Sequence, residues 1–317
     1  MKVLVTGASG CIGTWVLRSL LLRGAEVIVY DIAPSADRWR LVLTDGQIRS
    51  LQIETGSIED TERVKSLVRN SGVTHIVHLA AVLMPFCQAN PVKGGLINVI
   101  GTLNVFEAAR DAGRPVRVVY ASSSAVLGPE EFYAGNAVKE SDSLQPATFY
   151  GIFKNANEET ARVFYTLNHV TSVGLRPWAV YGPGRDQGLT ADPTLAIRAV
   201  SQGVPFRIRL SGFIDLQFVE DVAETFIACL RAPAEGAHVF NLAGTVISMH
   251  DLIEEIDAIR PGSAQLLSFD GPQVPVAYRV DDTKLQQSVP DLPKTSLNEG
   301  IRRTLEVFDR LQSMKPA

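Results

Sequence analysis

Tyr150 and Lys154 stand four residues apart in Tyr150-Gly151-Ile152-Phe153-Lys154, the spacing at which two side chains leave one face of a helix. A phenol beside an ammonium is a tunable acid/base. Free tyrosine titrates near pH 10, so accepting a proton near neutrality needs a shift of roughly 3 units, about 4 kcal/mol. A neighbouring cation supplies part of that shift by favouring the phenolate. The same spacing also describes a half-buried tyrosine with a lysine reaching past it to water. The surrounding elements must decide between the two.

Other reactive residue types offer less. Cys11, Cys87 and Cys229 are odd in number, far apart and form no C-x-x-C, which argues against a disulfide framework or a zinc site and fits a reducing compartment. His75 and His78 fall three apart in an expected strand, facing opposite sides, so joint metal ligation is not expected. The 317 residues are 46% hydrophobic and 20% charged, ordinary for a soluble globular protein with one large domain or two unequal ones. A net charge of −4 without any run of Lys or Arg leaves no footprint for nucleic acid. No apolar run reaches membrane-spanning length, and the strand-like Lys2-Val3-Leu4-Val5 begins at once, without a signal peptide. The expectation is a soluble, cytoplasmic protein whose partner is a small molecule, with no nucleic-acid or membrane role.

The elements that must position Tyr150 and Lys154 alternate regularly. Apolar, β-branched runs at Lys2–Thr6, Glu26–Asp31, Ile48–Glu54, Thr74–Ala81, Val116–Ala121 and Val170–Leu175 read as strands. Helical patterns lie between them at Cys11–Arg23, Ile58–Asn70 and roughly Val92–Ala112, and a longer one follows at Thr148–Asn168. Near-continuous apolar strands separated by helices mean a parallel sheet covered on both faces. The fold class is therefore α/β, a doubly wound parallel sheet whose crevice opens at the carboxyl ends of the strands. After residue 175, Pro and Gly punctuate shorter elements. Helices are expected at Pro193–Gln202, Val219–Arg231, Met249–Arg260 and Ser296–Gln312, and short strands at Phe206–Leu210 and His238–Leu242. This reads as a smaller lobe: residues 1–175 form the main domain, elements near 216–245 return to it, and 176–215 with 246–317 form the second lobe.

Thr6-Gly7-Ala8-Ser9-Gly10-Cys11-Ile12-Gly13 joins the first strand to the first helix. Gly7 permits the tight turn, Gly10 lets the backbone approach a pyrophosphate, and Gly13 lets the helix pack close to the sheet. The helix start at Cys11 and Ile12 then offers free N–H groups and partial positive charge to phosphates. Asp31 ends the second strand, where a carboxylate accepts from ribose hydroxyls and repels a 2′-phosphate. Together these favour NAD as cofactor, although Arg38 and Arg40 lie close enough to complicate that preference. A positively charged oxidised nicotinamide beside Tyr150 would further favour its phenolate.

With these residues in place the chain resembles the extended short-chain dehydrogenase/reductase family, the NAD-dependent epimerase/dehydratase group. The likeness runs through nearly the whole chain. It includes His78-Leu79-Ala80-Ala81, Asn98-Val99-Ile100-Gly101-Thr102, Ser122-Ser123-Ser124-Ala125-Val126-Leu127-Gly128, Arg176-Pro177, Val180-Tyr181-Gly182-Pro183-Gly184, Asp221-Val222-Ala223 and Asp281-Asp282-Thr283-Lys284. The resemblance implies a Rossmann-type domain and a smaller C-terminal substrate lobe. It implies Tyr150 as acid/base at the substrate oxygen, Lys154 binding the nicotinamide ribose and depressing the Tyr150 pKa, and Ser123 bonding the same substrate oxygen. Leu79, Ala80 and Ala81 would line the cofactor, Ser57 and Ile58 would lie by the adenine, and Pro177 by the nicotinamide. Asn98 is either cofactor-side support or a buried helix amide. Ser122 and Ser124 are either turn residues or, for Ser124, a substrate contact beside Ser123, Tyr150, Val82 and Met84. Members of the family commonly dimerise through two long helices, here near 92–112 and 148–168.

Departures from the family bear on the substrate. Its nucleotide-sugar enzymes often carry Gly-Asp where this chain has Gly56-Ser57. They tend to show an Arg where Ile214 stands in Ile214-Asp215-Leu216-Gln217-Phe218-Val219, which removes a bidentate partner for a diphosphate. Arg207 and Arg209 either replace it or form a solvated face. Val82-Leu83-Met84-Pro85-Phe86 gives the cleft an apolar wall. The expected activity is NAD-dependent hydride transfer at a secondary alcohol of a sugar-like or other small hydroxylated substrate. The alternatives are a nucleotide-sugar epimerase or dehydratase with tightly bound NAD and, from another class, a non-catalytic NAD-sensing scaffold.

Overall fold

The computed structural model describes residues 1–231 and 235–313. In chain order the strands are β1 (Lys2–Thr6), β2 (Glu26–Asp31), β3 (Gln52–Thr55), β4 (His75–His78), β5 (Arg117–Ala121), β6 (Ser172–Arg176), β7 (Ala179–Tyr181), β8 (Phe206–Ile208), β9 (Phe213–Phe218), β10 (Ala237–Asn241), β11 (Thr245–Ser248) and β12 (Leu267–Phe269). The helices are α1 (Cys11–Leu22), α2 (Ala36–Trp39), α3 (Asp45–Arg49), α4 (Thr61–Ser71), α5 (Met84–Ala89), α6 (Pro91–Gly95), α7 (Gly101–Arg110), α8 (Phe149–Asn168), α9 (Asp192–Gln202), α10 (Val219–Arg231), α11 (Met249–Ile259), α12 (Thr283–Ser288) and α13 (Leu297–Ser313).

Seven strands form one parallel sheet in the order β10-β6-β5-β4-β1-β2-β3. Side chains alternate across it with the period of a strand. Val3 and Val5 of β1 pack with α1 and α10 on one face, while Leu4 between them packs with α4 and α7 on the other. Both faces are thus buried under helices, which is the doubly wound arrangement. A second sheet, β11-β9-β7, lies among α9, α11 and α13, and β12 pairs with β8. The chain crosses between the two bodies: α10 packs on α1, and β10 closes the edge of the large sheet.

Some elements differ from the sequence reading, each for a local reason. The expected strand from Ile48 begins only at Gln52, because Thr44 and Gln47 form a capping box that draws 45–49 into α3. The strand expected to reach Ala81 stops at His78, where the Thr6 hydroxyl accepts from the Leu79 and Ala80 amides and turns the chain out of the sheet. The helix expected over 92–112 contains a π-helical turn at Leu96–Ile100, between α6 and α7, that carries buried Asn98. Strand β9, with its partners β7 and β11, was not anticipated at all. His78 is buried between the hydroxyls of Thr6 and Thr102, whereas His75 sits on the other face beside Thr74.

Candidate active site

The strand order reverses between β1 and β4, and a cleft of about 1060 Å³ opens there, at the carboxyl ends of the strands. Gly7 turns the chain with φ +69°, and a β-carbon on it would stand 2.5 Å from the Ala80 nitrogen. At Gly13 a β-carbon would overlap the Gly7 carbonyl oxygen and approach the Ala8 α-carbon to 2.8 Å. Only a chain without side chains at these two positions lets α1 dock this close. No side chain caps α1 at Gly10, and no acidic residue lies in its first turn. Its leading amides are therefore left for a ligand anion beside Gly10, Cys11 and Ile12, which line the cleft.

Asp31 lines the same end, its carboxylate accepting from the Ser9 amide at 2.9 Å and the Ala33 amide at 3.0 Å. The two arginines nearby are both engaged. Arg38 donates to the Gly184 carbonyl and to Asp186, each at 2.6 Å, and Arg40 pairs with Asp37 and Asp45. An unopposed carboxylate with its neighbouring cations occupied suits an unphosphorylated ribose. Ser57 and Ile58 also border this end, and the small residues Ala80 and Ala81 with Leu79 form its floor. The residues present therefore fit NAD.

Further along the cleft, α8 begins at Thr148, whose hydroxyl accepts from the Gly151 amide at 3.0 Å. This places Tyr150 in the first turn of the helix and Lys154 one turn further on, both lining the cleft. Ser123, just past the end of β5, lines the cleft together with Tyr150, and its hydroxyl accepts from the Ala125 amide at 3.1 Å. Burial pushes the phenol up to about 12, while Ser123 and the Arg185 guanidinium pull it back down. Lys154 is 4% exposed and donates to the Ala121 carbonyl at 2.7 Å. Burial lowers its pKa to about 8, with Cys87 and Glu158 opposing the shift. The Lys154 ammonium lies 5.5 Å from the centre of the Tyr150 ring, and Arg185, a residue the sequence reading did not single out, adds a second cation that lowers the pKa of the phenol.

A buried network holds these elements in register. Glu158, one turn beyond Lys154 on α8, accepts from Arg176 Nε at 2.9 Å and Nη2 at 2.7 Å, and also from the Ser122 hydroxyl. Arg176 reaches on to Asn241, and its carbonyl accepts from the Ser124 hydroxyl. The helix carrying Tyr150, the serine loop and the residue before Pro177 are therefore tied to one carboxylate.

Among the residues singled out from sequence, Gly7, Gly10, Cys11, Ile12, Asp31, Ser57, Ile58, Leu79, Ala80 and Ala81 line the cleft. So do Val82, Met84, Ser123, Ser124, Tyr150, Lys154 and Pro177. Gly13 acts from beneath by packing. Asn98 is not part of the lining: its amide exchanges two hydrogen bonds with Val82, each 2.9 Å, and donates to Cys87. Asn98 is a buried helix amide, and its two bonds to Val82 fix a residue that does line the cleft. Sequence reasoning missed the middle of the loop, Arg185 to Gly188, and also Trp178, Val274 and Val276, all of which line the cleft. The Gly182-Pro183-Gly184 turn was a usable signal for that loop, since a built turn positions whatever follows it.

Comparison with known proteins agrees with this geometry. The profile of the NAD dependent epimerase/dehydratase family matches residues 3–243. UDP-glucuronate 4-epimerase 4 of Arabidopsis thaliana is 30% identical over 96% of this chain and 74% of its own length. Other plant UDP-glucuronate 4-epimerases match over 40% to 61% of their length. UDP-glucose 4-epimerase of Mycolicibacterium smegmatis is 28% identical over 97% of this chain and 98% of its own. The solved structure of Thermus thermophilus UDP-glucose 4-epimerase in complex with NAD superposes with a TM-score of 0.81 at 27% identity, covering 97% of this chain and 99% of that one. The chain belongs to the NAD-dependent epimerase/dehydratase family and is an NAD-using oxidoreductase of it.

Proposed function

We propose that the protein transfers hydride at a secondary alcohol of a small, hydroxylated, sugar-like substrate. The observation that carries this reading is the convergence of Ser123, Tyr150 and Lys154 in one cleft with the glycine turn and Asp31. Bound NAD supplies the acceptor for the hydride leaving the carbinol carbon. Tyr150 takes the hydroxyl proton at its phenolic oxygen, and Ser123 holds the substrate oxygen in place. Lys154, fixed on the Ala121 carbonyl, binds the nicotinamide ribose. Gly7, Gly10, Cys11 and Ile12 hold the phosphates, Asp31 and Ser57 the adenosine, and Pro177 borders the nicotinamide. Val82 and Met84 wall the substrate.

A second reading is a nucleotide-sugar 4-epimerase, in which hydride leaves and returns within one turnover; the names of the matched relatives favour it. Incubation with NAD and a panel of free and nucleotide-linked sugars separates the two. NADH should accumulate; inverted product without NADH would overturn the first reading. Tyr150→Phe tests the catalytic assignment under either. Turnover should fall at least ~100-fold while NADH affinity stays within about twofold. Unchanged turnover would remove Tyr150 from the chemistry.

We assign residues 1–175 with the returning elements near 216–245 to the NAD-binding domain, and 176–215 with 246 onward to the substrate lobe; residues 314–317 of that lobe lie outside the described residues. A homodimer through α6–α7 and α8 is supported by apolar side chains left exposed there, with Val92 at 80% and Leu167 at 71%. Cys11, Cys87 and Cys229 are all unpaired, which supports a reducing, cytoplasmic setting. No helix among the described residues is long and apolar enough to cross a membrane.

A further inference from the structure

Among the described residues the cleft is lined by three cations, Arg38, Lys154 and Arg185. Two of them have evident work. Arg38 is fastened to Gly184 and Asp186, and Lys154 to the Ala121 carbonyl beside Tyr150. Arg185 is different. Its Nη2 donates to the neutral hydroxyl of Thr190 at 2.8 Å, and its Nε is buried with no hydrogen-bond partner. No carboxylate among the described residues pairs with it, since the adjacent Asp186 is turned to Arg38. A guanidinium carries five donors in a fixed fork, and a half-buried one without an anion is held at a free-energy cost.

The position of Arg185 is also set in advance. Its amide donates to the Gly182 carbonyl, Trp15 donates to the Pro183 carbonyl and Arg38 to the Gly184 carbonyl, so the loop is anchored on both sides of the turn. Arg185 lines the same cleft as Tyr150 and Cys11, and its charge lowers the pKa of both the phenol and the thiol. The rest of the substrate end is largely apolar, with Leu83, Val274 and Val276 in the lining. The arginines that would replace a diphosphate partner do not reach it. Arg209 makes three hydrogen bonds to buried Asp192, Arg207 lies 3.7 Å from Asp270, and neither lines the cleft.

We propose that Arg185 is the anion-binding residue of the substrate end, and that the substrate is a free hydroxy acid whose carboxylate takes the Arg185 fork while its secondary hydroxyl meets Tyr150 and Ser123. The proposal rests on the reading of this cleft as one that oxidises a secondary alcohol. A carboxylate matches the planar fork in a bidentate manner. One cation balances one carboxylate, whereas a nucleotide diphosphate would leave a second charge without a partner in this lining.

The test is binding to the NADH-loaded holoenzyme, read by nicotinamide fluorescence, with matched probes: glycerate against glycerol, gluconate against sorbitol, glucuronate against glucose, and UDP-glucuronate. At least one acid should bind about tenfold or more tightly than its neutral counterpart. Arg185→Gln should remove that preference, a loss of roughly ten- to hundredfold, while leaving NADH affinity within about twofold. Arg185→Lys, which keeps the charge but not the fork, should retain part of it, and circular dichroism of both variants should match the wild type. Equal binding of acid and neutral probes in every pair overturns the proposal, as does a preference that survives Arg185→Gln. A loss confined to NADH affinity assigns the cation to the cofactor phosphates instead. UDP-glucuronate binding more than about tenfold tighter than glucuronate overturns the free-acid assignment. Because these readouts need no turnover, they stand apart from the hydride-transfer reading: Tyr150→Phe should keep the acid preference even though it turns nothing over.

Discussion

The two ends of the cleft are built on different principles. At the cofactor end the ligand is met by backbone and by residues chosen for small size. Gly7 and Gly13 are required because neighbouring backbone atoms occupy the space of a side chain, and the surroundings of Tyr150 and Lys154 are locked through Glu158 and Arg176. At the substrate end the lining comes from long side chains on irregular segments, with Arg185, Gln187 and Leu189 on one loop and Val274 and Val276 on another. Steric necessity specifies the first end, and side-chain chemistry the second. Substitutions at the cofactor end should therefore damage the fold and every activity together, whereas substitutions at the substrate end should change which molecule binds.

The largest expected effect lies under the cofactor end. Glu158 and Arg176 are 6% and 3% exposed, so Glu158→Gln leaves a guanidinium buried without its counter-charge. Breaking such a pair destabilises by about 3–5 kcal/mol, measurable as a lower urea midpoint. Arg176 adjoins Pro177, and Ser122 adjoins Ser123, so turnover should fall as well. A variant of unchanged stability would show that the reacting end is not held by this carboxylate, and the contrast between the ends would lose its main support.

A smaller effect is expected from a paired substitution that sets the ends directly against each other. Gly13→Ala forces a methyl against the Gly7 carbonyl and the Ala8 backbone, neither of which can rotate away. Overpacking of this kind destabilises by about 1–3 kcal/mol, and NADH affinity should drop with it. Gln187→Ala, on the exposed part of the substrate loop, should stay within about 0.5 kcal/mol of wild type and leave NADH binding alone. Similar losses in the two variants would mean that the loop is as tightly specified as the glycine turn.

The same contrast explains what could be read from the sequence. The glycine turn, Asp31 and the Tyr150/Lys154 pair were legible because local geometry fixes their spacing: a strand-to-helix turn needs its glycines in order, and a helix repeats every four residues or so. The doubly wound sheet was legible from its apolar strands for the same reason. Arg185 was not. Its place depends on bonds from Trp15 and Arg38 to the loop, across 168 and 146 residues of chain, and no local pattern reports such distances. Val274 and Val276 arrive through a stretch without periodicity, pinned by the bridge between Ser211 and Gln273. At 45–49 the error ran the other way, since the Thr44/Gln47 capping signal was present but was outweighed by the apolar run that follows it.

The smallest prediction probes a link between the ends. Asp186 belongs to the substrate loop, yet its carboxylate holds Arg38, which lines the cleft together with Asp31. That ion pair is 20% and 41% exposed, so its loss should change stability by no more than about 1 kcal/mol. Its effect on cofactor choice is a separate matter. With Asp186→Ala, Arg38 keeps only the Gly184 carbonyl, and half of its fork becomes free at the ribose end, where a cation accommodates a 2′-phosphate. Asp31 remains and still opposes that phosphate, so selectivity should relax rather than invert. The ratio of kcat/KM for NADP to that for NAD should rise by roughly three- to tenfold, equivalent to about 0.6–1.4 kcal/mol, and steady-state rates with each cofactor measure it. An unchanged ratio would mean that the two ends are energetically separate. A rise would mean that a residue chosen on the substrate side also guards the cofactor side, and that swapping loops between relatives alters cofactor preference along with substrate.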